Sequence, residues 1–383
     1  MTHGRGQPAE KPGFDEVDRI IEAAVERKEI PGGALHIRAE GHVVHERVLG
    51  RRHIDDAASL CVDDVFPVLS LTKPVVAAGV LRLCEKGVLR LEQPIAEFLP
   101  EFAEPTVLVS YNLGTGALVT RPARGLITVR HLLTHTAGIH HGFPRPDDVM
   151  GTLYERSGVV HGDRMSMAEK VKRLGPLPLV HDPGDAWTYG LSSDVAGRLI
   201  EVVSTQPLDE YLDRCIFDPL GMKSTYFFVP GNDRGRLVVP HVRDGETLVP
   251  APWVGKGGEK YLSGGGGLHT TVGDYGRFVQ ALVDGGPPIL SREGVALMTR
   301  NHIGDLRAFG FKYGLSVGIS TSEAQGEAPL PIGGFGWYGI YSTWFWTLPR
   351  RRASVLFFSN MLDSAMNLPL FARVVSAADT ALR

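Results

Sequence analysis

Strand-like runs near both ends of the chain, with helices and loops between them, constrain this 383-residue sequence most. Near the start, Leu35, Ile37 and Ala39 alternate with His36 and Arg38; Glu40-Gly41 follows, and a second run carries Val43, Val44 and Val48. Period-two alternation on either side of a short turn predicts a hairpin. Ahead of it Phe14, Val17, Ile20, Ile21 and Ala24 fall at helical spacing. Toward the other end, Phe309, Phe311, Tyr313, Leu315, Val317 and Ile319 alternate in what reads as one continuous strand. Residues 339–348 are rich in aromatics, 354–358 form a short apolar run, and a helix over 368–382 closes the chain. Between these ends, 70–284 reads as helices separated by Gly- and Pro-rich loops. They fall at 129–134 behind a Thr128 cap, 167–174, 193–204, 208–216, and 272–283 behind Thr271 and Asp274. Two strand-rich ends and a helical middle predict an α/β (α+β) protein with one sheet built from both termini. The sheet lobe spans 1–66 with 285–383, the mainly helical lobe spans 67–284, and the cleft between them is the natural ligand site.

Composition adds mainly exclusions. With 43% hydrophobic and 22% charged residues the chain can build its cores without staples. A formal net charge of -3 gives no reason to expect nucleic acid or an anionic membrane as partner. Arg350-Arg351-Arg352 follows a proline between strand-like runs and reads as a solvated turn. Cys61, Cys84 and Cys215 are an odd set without C-x-x-C spacing, so neither a disulfide framework nor a zinc site is expected, and reduced thiols are. Residues 1–12 lack the apolar core of a secretory signal, and no 18-residue apolar run occurs; a soluble, cytoplasmic protein is expected.

The chemistry centres on Ser70-Leu71-Thr72-Lys73. Pro74, Val75, Val76, Ala78, Leu81 and Leu83 continue as an apolar helical run that Gly87 ends, and Pro74 suits a first turn. Ser70 thus lies at a helix N-terminus, and residues i and i+3 share a face, which sets the Lys73 amine beside the Ser70 hydroxyl. A base beside a hydroxyl is the requirement for a covalent nucleophile. The spacing is also met by a serine that caps the helix and a lysine in solvent. More than 100 residues on, Trp187-Thr188-Tyr189-Gly190 supplies a phenol able to complete an acyl-transfer site without histidine or metal.

Three other patterns compete. Gly314-Leu315-Ser316-Val317-Gly318 matches G-x-S-x-G, but a nucleophile elbow needs strand, turn and helix, and no histidine follows His302; Ser316 reads as an ordinary strand serine. His131 and His135 stand one helical turn apart near His140 and His141, yet Leu132 occupies the position where a zincin has glutamate, so packing or hydrogen-bonding histidines are expected and no metal. Ser263-Gly264-Gly265-Gly266-Gly267 lacks the surroundings of a phosphate loop and reads as a tight backbone crossing near the cleft.

In order along nearly the whole chain, several segments together resemble the serine β-lactamase-like superfamily, specifically the class C β-lactamase-like family VIII carboxylesterases and related acyltransferases. They are Ser70-Leu71-Thr72-Lys73-Pro74, the stretch 127–138, Pro183-Gly184 leading to Trp187-Thr188-Tyr189, Asp194-Val195-Ala196-Gly197, the glycine loop ending in Leu268, and Gly336-Trp337-Tyr338-Gly339. The resemblance implies an antiparallel sheet flanked by terminal helices with an inserted helical domain. It implies Ser70 as nucleophile, Lys73 as its base, Tyr189 as the phenol relaying a proton to the leaving group, and no cofactor. The backbone N–H groups of Ser70 and Ile340 would form the oxyanion hole, and Trp337, Tyr338 and Gly339 would line the substrate site. Penicillin-binding proteins and β-lactamases carry Lys-Thr-Gly or a His variant at the third motif, where this chain has Trp337; losing a charge-assisted contact worth roughly 1.5–3 kcal/mol argues against an anionic β-lactam. Tyr189-Gly190-Leu191 also lacks the asparagine of Tyr-x-Asn. The expected substrate is a small ester of a short or medium acyl group, held among aromatics from Trp187, Tyr261, Phe335, Trp337, Tyr338, Tyr341 and Trp344, about half of which face the cleft. Acyl transfer to an alcohol or amine is the alternative outcome, with weak β-lactamase or D-amino-acid peptidase activity behind it.

Overall fold

The computed structural model describes residues 13–55, 58–142, 148–159, 165–251, 261–324, 329–362 and 364–383. Its centre is a seven-stranded antiparallel sheet drawn from both ends of the chain. The strands are β1 (Gly32–Ala39), β2 (His42–Gly50), β3 (Lys312–Tyr313), β4 (Gly318–Ile319), β5 (Phe335–Gly339), β6 (Thr343–Leu348) and β7 (Ala353–Ser359), in the order β2-β1-β7-β6-β5-β4-β3. β1 pairs with β7 in the register Leu35 to Phe357 and Ile37 to Val355, which joins the first hairpin to the last strand. The expected single sheet from two termini is therefore the observed one.

Both faces of the sheet are covered. Helices α1 (Asp15–Glu26) and α5 (Ser364–Ala381) lie on one face, where Leu35, Ile37, Trp344, Trp346, Val355 and Phe357 pack against Val17, Ile21, Phe371 and Val374. Their neighbours Ala34, Phe345, Leu356 and Phe358 point the other way, into a larger core shared with α2 (Thr72–Glu85), α3 (Ser192–Ser204) and α4 (Val272–Val283). Side chains alternate across a strand, so a run such as Val355-Leu356-Phe357-Phe358 is apolar throughout because it feeds two cores. Each such side chain contributes about 1.5–3 kcal/mol when fully buried. The sequence partition at 284 groups α4 with the helical region, and α4 packs on β1 and β7. No helix among the described residues is long and apolar enough to cross a membrane.

Two expectations are corrected. The alternating run 309–319 is not one strand: Gly314–Val317 is a turn that reverses the chain between β3 and β4, with Ser316 at φ +63°. Leu315 and Val317 are buried because the turn tucks under the helix Val129–Leu133, where the Ser316 N–H and hydroxyl both donate to Leu133 O at 2.8 and 3.2 Å. Burial at a turn thus imitates strand alternation, and Ser316 is sealed away as a structural residue. The region read as helix and loop also holds two hairpins, Thr106–Tyr111 with Leu118–Pro122 and His241–Asp244 with Thr247–Pro250, and a further helix, Val149–Arg156.

Candidate active site

Ser70 sits in the tight turn Leu69–Leu71 that runs directly into α2. Neither the turn nor the helix has a side-chain cap, so the hydroxyl is not spent on capping. Lys73 is only 4% exposed, and its Nζ lies 3.1 Å from Ser70 Oγ and donates to Gly265 O at 2.6 Å. The same Nζ lies 4.7 Å from the centre of the Tyr189 ring. The solvated-lysine reading fails on this burial. Ser70 and Tyr189 are half-buried, so both keep contact with solvent.

The glycine loop is the tight crossing that its composition predicts, and its carbonyl at Gly265 is part of the lysine's cradle. Asp194 on α3, 3% exposed, accepts from Ser263 Oγ at 2.7 Å and from the Gly265 N–H at 3.3 Å. A carboxylate on one helix thereby fixes the glycine whose carbonyl holds Lys73. Beneath it, the buried Lys170 donates to Tyr261 Oη and sits 4.8 Å from that ring's centre. Burial lowers the Lys170 pKa, with Asp194 opposing, and raises the Tyr261 phenol well above its ordinary value, with Asp194 adding to the rise.

Tyr189 is held from behind by His135, a fully buried residue at φ +56°. The His135 carbonyl accepts the Thr188 N–H at 2.8 Å and its Nδ1 accepts the Gly190 N–H at 3.4 Å, which pins the segment on both sides of the phenol. Burial holds the His135 imidazole well below its ordinary pKa, and the Lys73 charge adds to the effect. His135 is therefore neutral, and with Nδ1 accepting, its proton is on Nε2. Gly190 is required sterically: a Cβ there would stand 2.1 Å from Ile139 O. His131 Nδ1 accepts the Thr128 N–H at the start of its helix. Both histidines thus do hydrogen-bonding work.

The third motif, Trp337-Tyr338-Gly339, is the end of β5. A Cβ on Gly339 would lie 2.3 Å from Val68 O and 2.4 Å from Thr343 Oγ1, so glycine alone lets β5 abut the turn that carries Ser70. Ile340, 40% exposed, opens the following turn. Trp337 is buried and points its Nε1–H at Tyr189 Oη, 3.5 Å away. Of the expected aromatic lining, Trp187 and Trp337 gather near Tyr189, Tyr338 lies between Trp337 and Trp344, Trp344 stacks on Phe371 on the far face, and Phe335 and Tyr341 are buried. Phe309 joins the group unforeseen, with its ring 4.9 Å from Trp187 and 5.7 Å from Tyr189. Tyr313 lies beneath, its phenol pushed well above the ordinary pKa by burial and then by Tyr189 and Tyr338.

Two other places hold polar groups. His140, His141 and Asp148 bring one ligand atom each within 4.8 Å, the one such group among the described residues. His140 Nδ1 accepts the Gly142 N–H, and its Nε2 lies 3.5 Å from Asp148 Oδ2. A hollow of about 420 Å³ is lined by Arg52, His53, Asp55, Gly235, Leu237 and Val239. It holds no nucleophile, and its Arg52 is committed to the buried Asp64 at 3.0 Å.

A buried lysine thus stands between a serine and a tyrosine beside the end of β5, in an antiparallel sheet covered on both faces. The chain belongs to the beta-lactamase family, whose model matches residues 17–378. It is 31% identical over 330 residues to Protein Rv1367c of Mycobacterium tuberculosis, covering 81% of this chain and 80% of that protein. It is 28% identical over 380 residues to Esterase EstB of Burkholderia gladioli, covering 92% of each. Among solved structures, a mutant (LovD9) of simvastatin synthase from Aspergillus terreus superposes with a TM-score of 0.81 at 25% identity, covering 95% of this chain and 98% of that one.

Proposed function

We propose that the protein is a serine carboxylesterase acting on small esters through an acyl-enzyme on Ser70. The observation that carries the reading is the position of Lys73 Nζ, 3.1 Å from Ser70 Oγ and 4.7 Å from the centre of the Tyr189 ring. Ser70 Oγ attacks the ester carbonyl carbon while its proton passes to Lys73. The oxyanion is held by the backbone N–H groups of Ser70 and Ile340, an assignment supported by the abutment of Gly339 on Val68. Collapse breaks the bond to the alcohol oxygen, which takes a proton from Tyr189 as Lys73 passes the proton it accepted to the phenolate, restoring both groups. Water then repeats the sequence and releases the acid. General acid–base steps of this kind are worth about 10²- to 10⁴-fold each.

The ester enters between two lobes, 1–66 with 285–383 and 67–284. Trp337 where the β-lactamases carry a cation, and Leu191 in place of the asparagine, favour neutral esters over β-lactams. The esterase relative supports hydrolysis, and the likeness to a synthase supports a second outcome, in which an alcohol or amine intercepts the acyl-enzyme in place of water. Rates on p-nitrophenyl acetate, butyrate and palmitate, with and without an added alcohol, test both. Highest efficiency on acetate or butyrate is expected; highest efficiency on palmitate refutes the short-acyl reading, and a rate far above hydrolysis with the alcohol makes the protein a transferase.

A further inference from the structure

Phe309 is the most exposed aromatic near Tyr189 and stands on a strained turn. It stands at φ +48° with Gly310 at φ +84°, the two central residues of a tight turn closed by reciprocal hydrogen bonds of 2.8 and 3.0 Å between Ala308 and Phe311. A turn with two left-handed central residues is normally made of Asn, Asp or Gly, because a side chain with Cβ and a bulky ring pays for φ > 0. A phenylalanine there holds its ring out: 49% of the residue is exposed. Strain kept beside Tyr189, with a large apolar surface turned to solvent, points to use rather than packing.

The ring's neighbours say which part of a substrate it meets. It lies against Trp187 at 4.9 Å, Tyr189 at 5.7 Å, Tyr338 at 6.1 Å and Trp337 at 6.3 Å. These aromatics form one wall, and the phenol within it is the group assigned to protonate the leaving oxygen. Whatever is attached to that oxygen must pass beside Tyr189 on its way out of the cleft. An alcohol portion with a flat apolar ring would stack on Phe309, whereas a ring on the acyl side would sit across Ser70, away from Tyr189.

We infer that Phe309 is a specificity-determining residue for the leaving alcohol, favouring esters whose alcohol portion carries an aromatic or other flat apolar ring. This rests on the proposed Ser70 esterase reading. Three esters separate the alternatives: benzyl acetate has the ring on the alcohol, ethyl phenylacetate has it on the acid, and ethyl acetate has none. Comparing variant with wild type on each ester cancels their intrinsic reactivities.

Phe309→Asn removes the ring while placing a residue that tolerates the left-handed turn, so the fold is kept. Its kcat/KM on benzyl acetate should fall roughly three- to tenfold relative to ethyl acetate, the worth of one aromatic pair. The loss should lie mainly in KM, ethyl phenylacetate should follow ethyl acetate, and Phe309→Tyr should restore the preference. Equal loss on all three esters with a lowered melting temperature would make Phe309 structural, and a loss confined to ethyl phenylacetate would place it on the acyl side; either overturns the inference. Ser70→Ala, run in parallel, should abolish turnover of every ester, and activity surviving there would instead refute the underlying hydrolase reading.

Discussion

Replacing Gly339 by alanine probes the junction on which the site is built. The added Cβ would stand 2.3 Å from Val68 O and 2.4 Å from Thr343 Oγ1. The Thr343 hydroxyl already donates to that same Val68 carbonyl at 3.3 Å and has little room to turn away, so β5 must shift off the turn Leu69–Leu71. Overpacking of this kind costs about 1–3 kcal/mol. An unfolding entropy near 2.1 cal/mol/K per residue gives a chain of this length about 0.8 kcal/mol/K, so the melting temperature should drop only ~1–4 °C. Activity should respond far more. On the proposed mechanism, moving Ile340 by a few tenths of an ångström takes its N–H off the developing oxyanion, and loss of one such donor is worth on the order of 10²- to 10³-fold in kcat. Calorimetry beside steady-state ester hydrolysis tests the pair of numbers. A Gly339→Ala protein with wild-type kcat, or one whose loss of activity merely tracks its loss of folded protein, would refute the reasoning.

Other substitutions separate the roles within the site. Tyr189→Phe keeps the ring beside Lys73 and removes only the hydroxyl, so kcat should fall about 10²- to 10⁴-fold in ester hydrolysis while the melting temperature holds. Asp194→Ala leaves the Ser263 hydroxyl and the Gly265 N–H without their acceptor and frees the carbonyl that holds Lys73; a loss of at least tenfold in kcat is expected, with Asp194→Asn, which keeps an acceptor, recovering most of it. Burial depresses the His269 imidazole from 6.5 to about 4. Above pH 6.5 it is neutral folded or unfolded. As pH falls below 6.5 only the unfolded form takes the proton, so stability drops by about 1.4 kcal/mol per pH unit until roughly pH 4. Urea unfolding at pH 7.5 and pH 5 should show a smaller drop for His269→Gln than for the wild type, and equal drops would contradict that assignment.

What could be read from the sequence depended on how local each feature is. The Ser70–Lys73 pair was legible because three residues on a helix fix their own geometry, and the sheet because alternation at both termini needs a partner strand. Tyr189 and the Trp337 motif were legible only through resemblance, since nothing local says that they meet. Asp194, Gly265 and His135 act through backbone contacts between segments as much as 192 residues apart, and no spacing rule encodes those. The error at 309–319 has a physical cause. Leu315 and Val317 are buried by a turn packed under Leu133, and Phe309 sits on a strained turn that its residue type argues against. The hairpin 106–122 did carry its signal, with Val107, Val109 and Tyr111 alternating before Asn112 and Gly114, but Val109, Leu118 and Val119 stay exposed and bury little to announce it.

The central claim, that Ser70 is the nucleophile, is tested most directly by intact-mass measurement after treatment with a fluorophosphonate. The wild type should gain one phosphonyl group, mapped by peptide analysis to the segment containing Ser70, and Ser70→Ala should gain none. Equal labelling of both proteins, or a label on Ser316, would contradict the account.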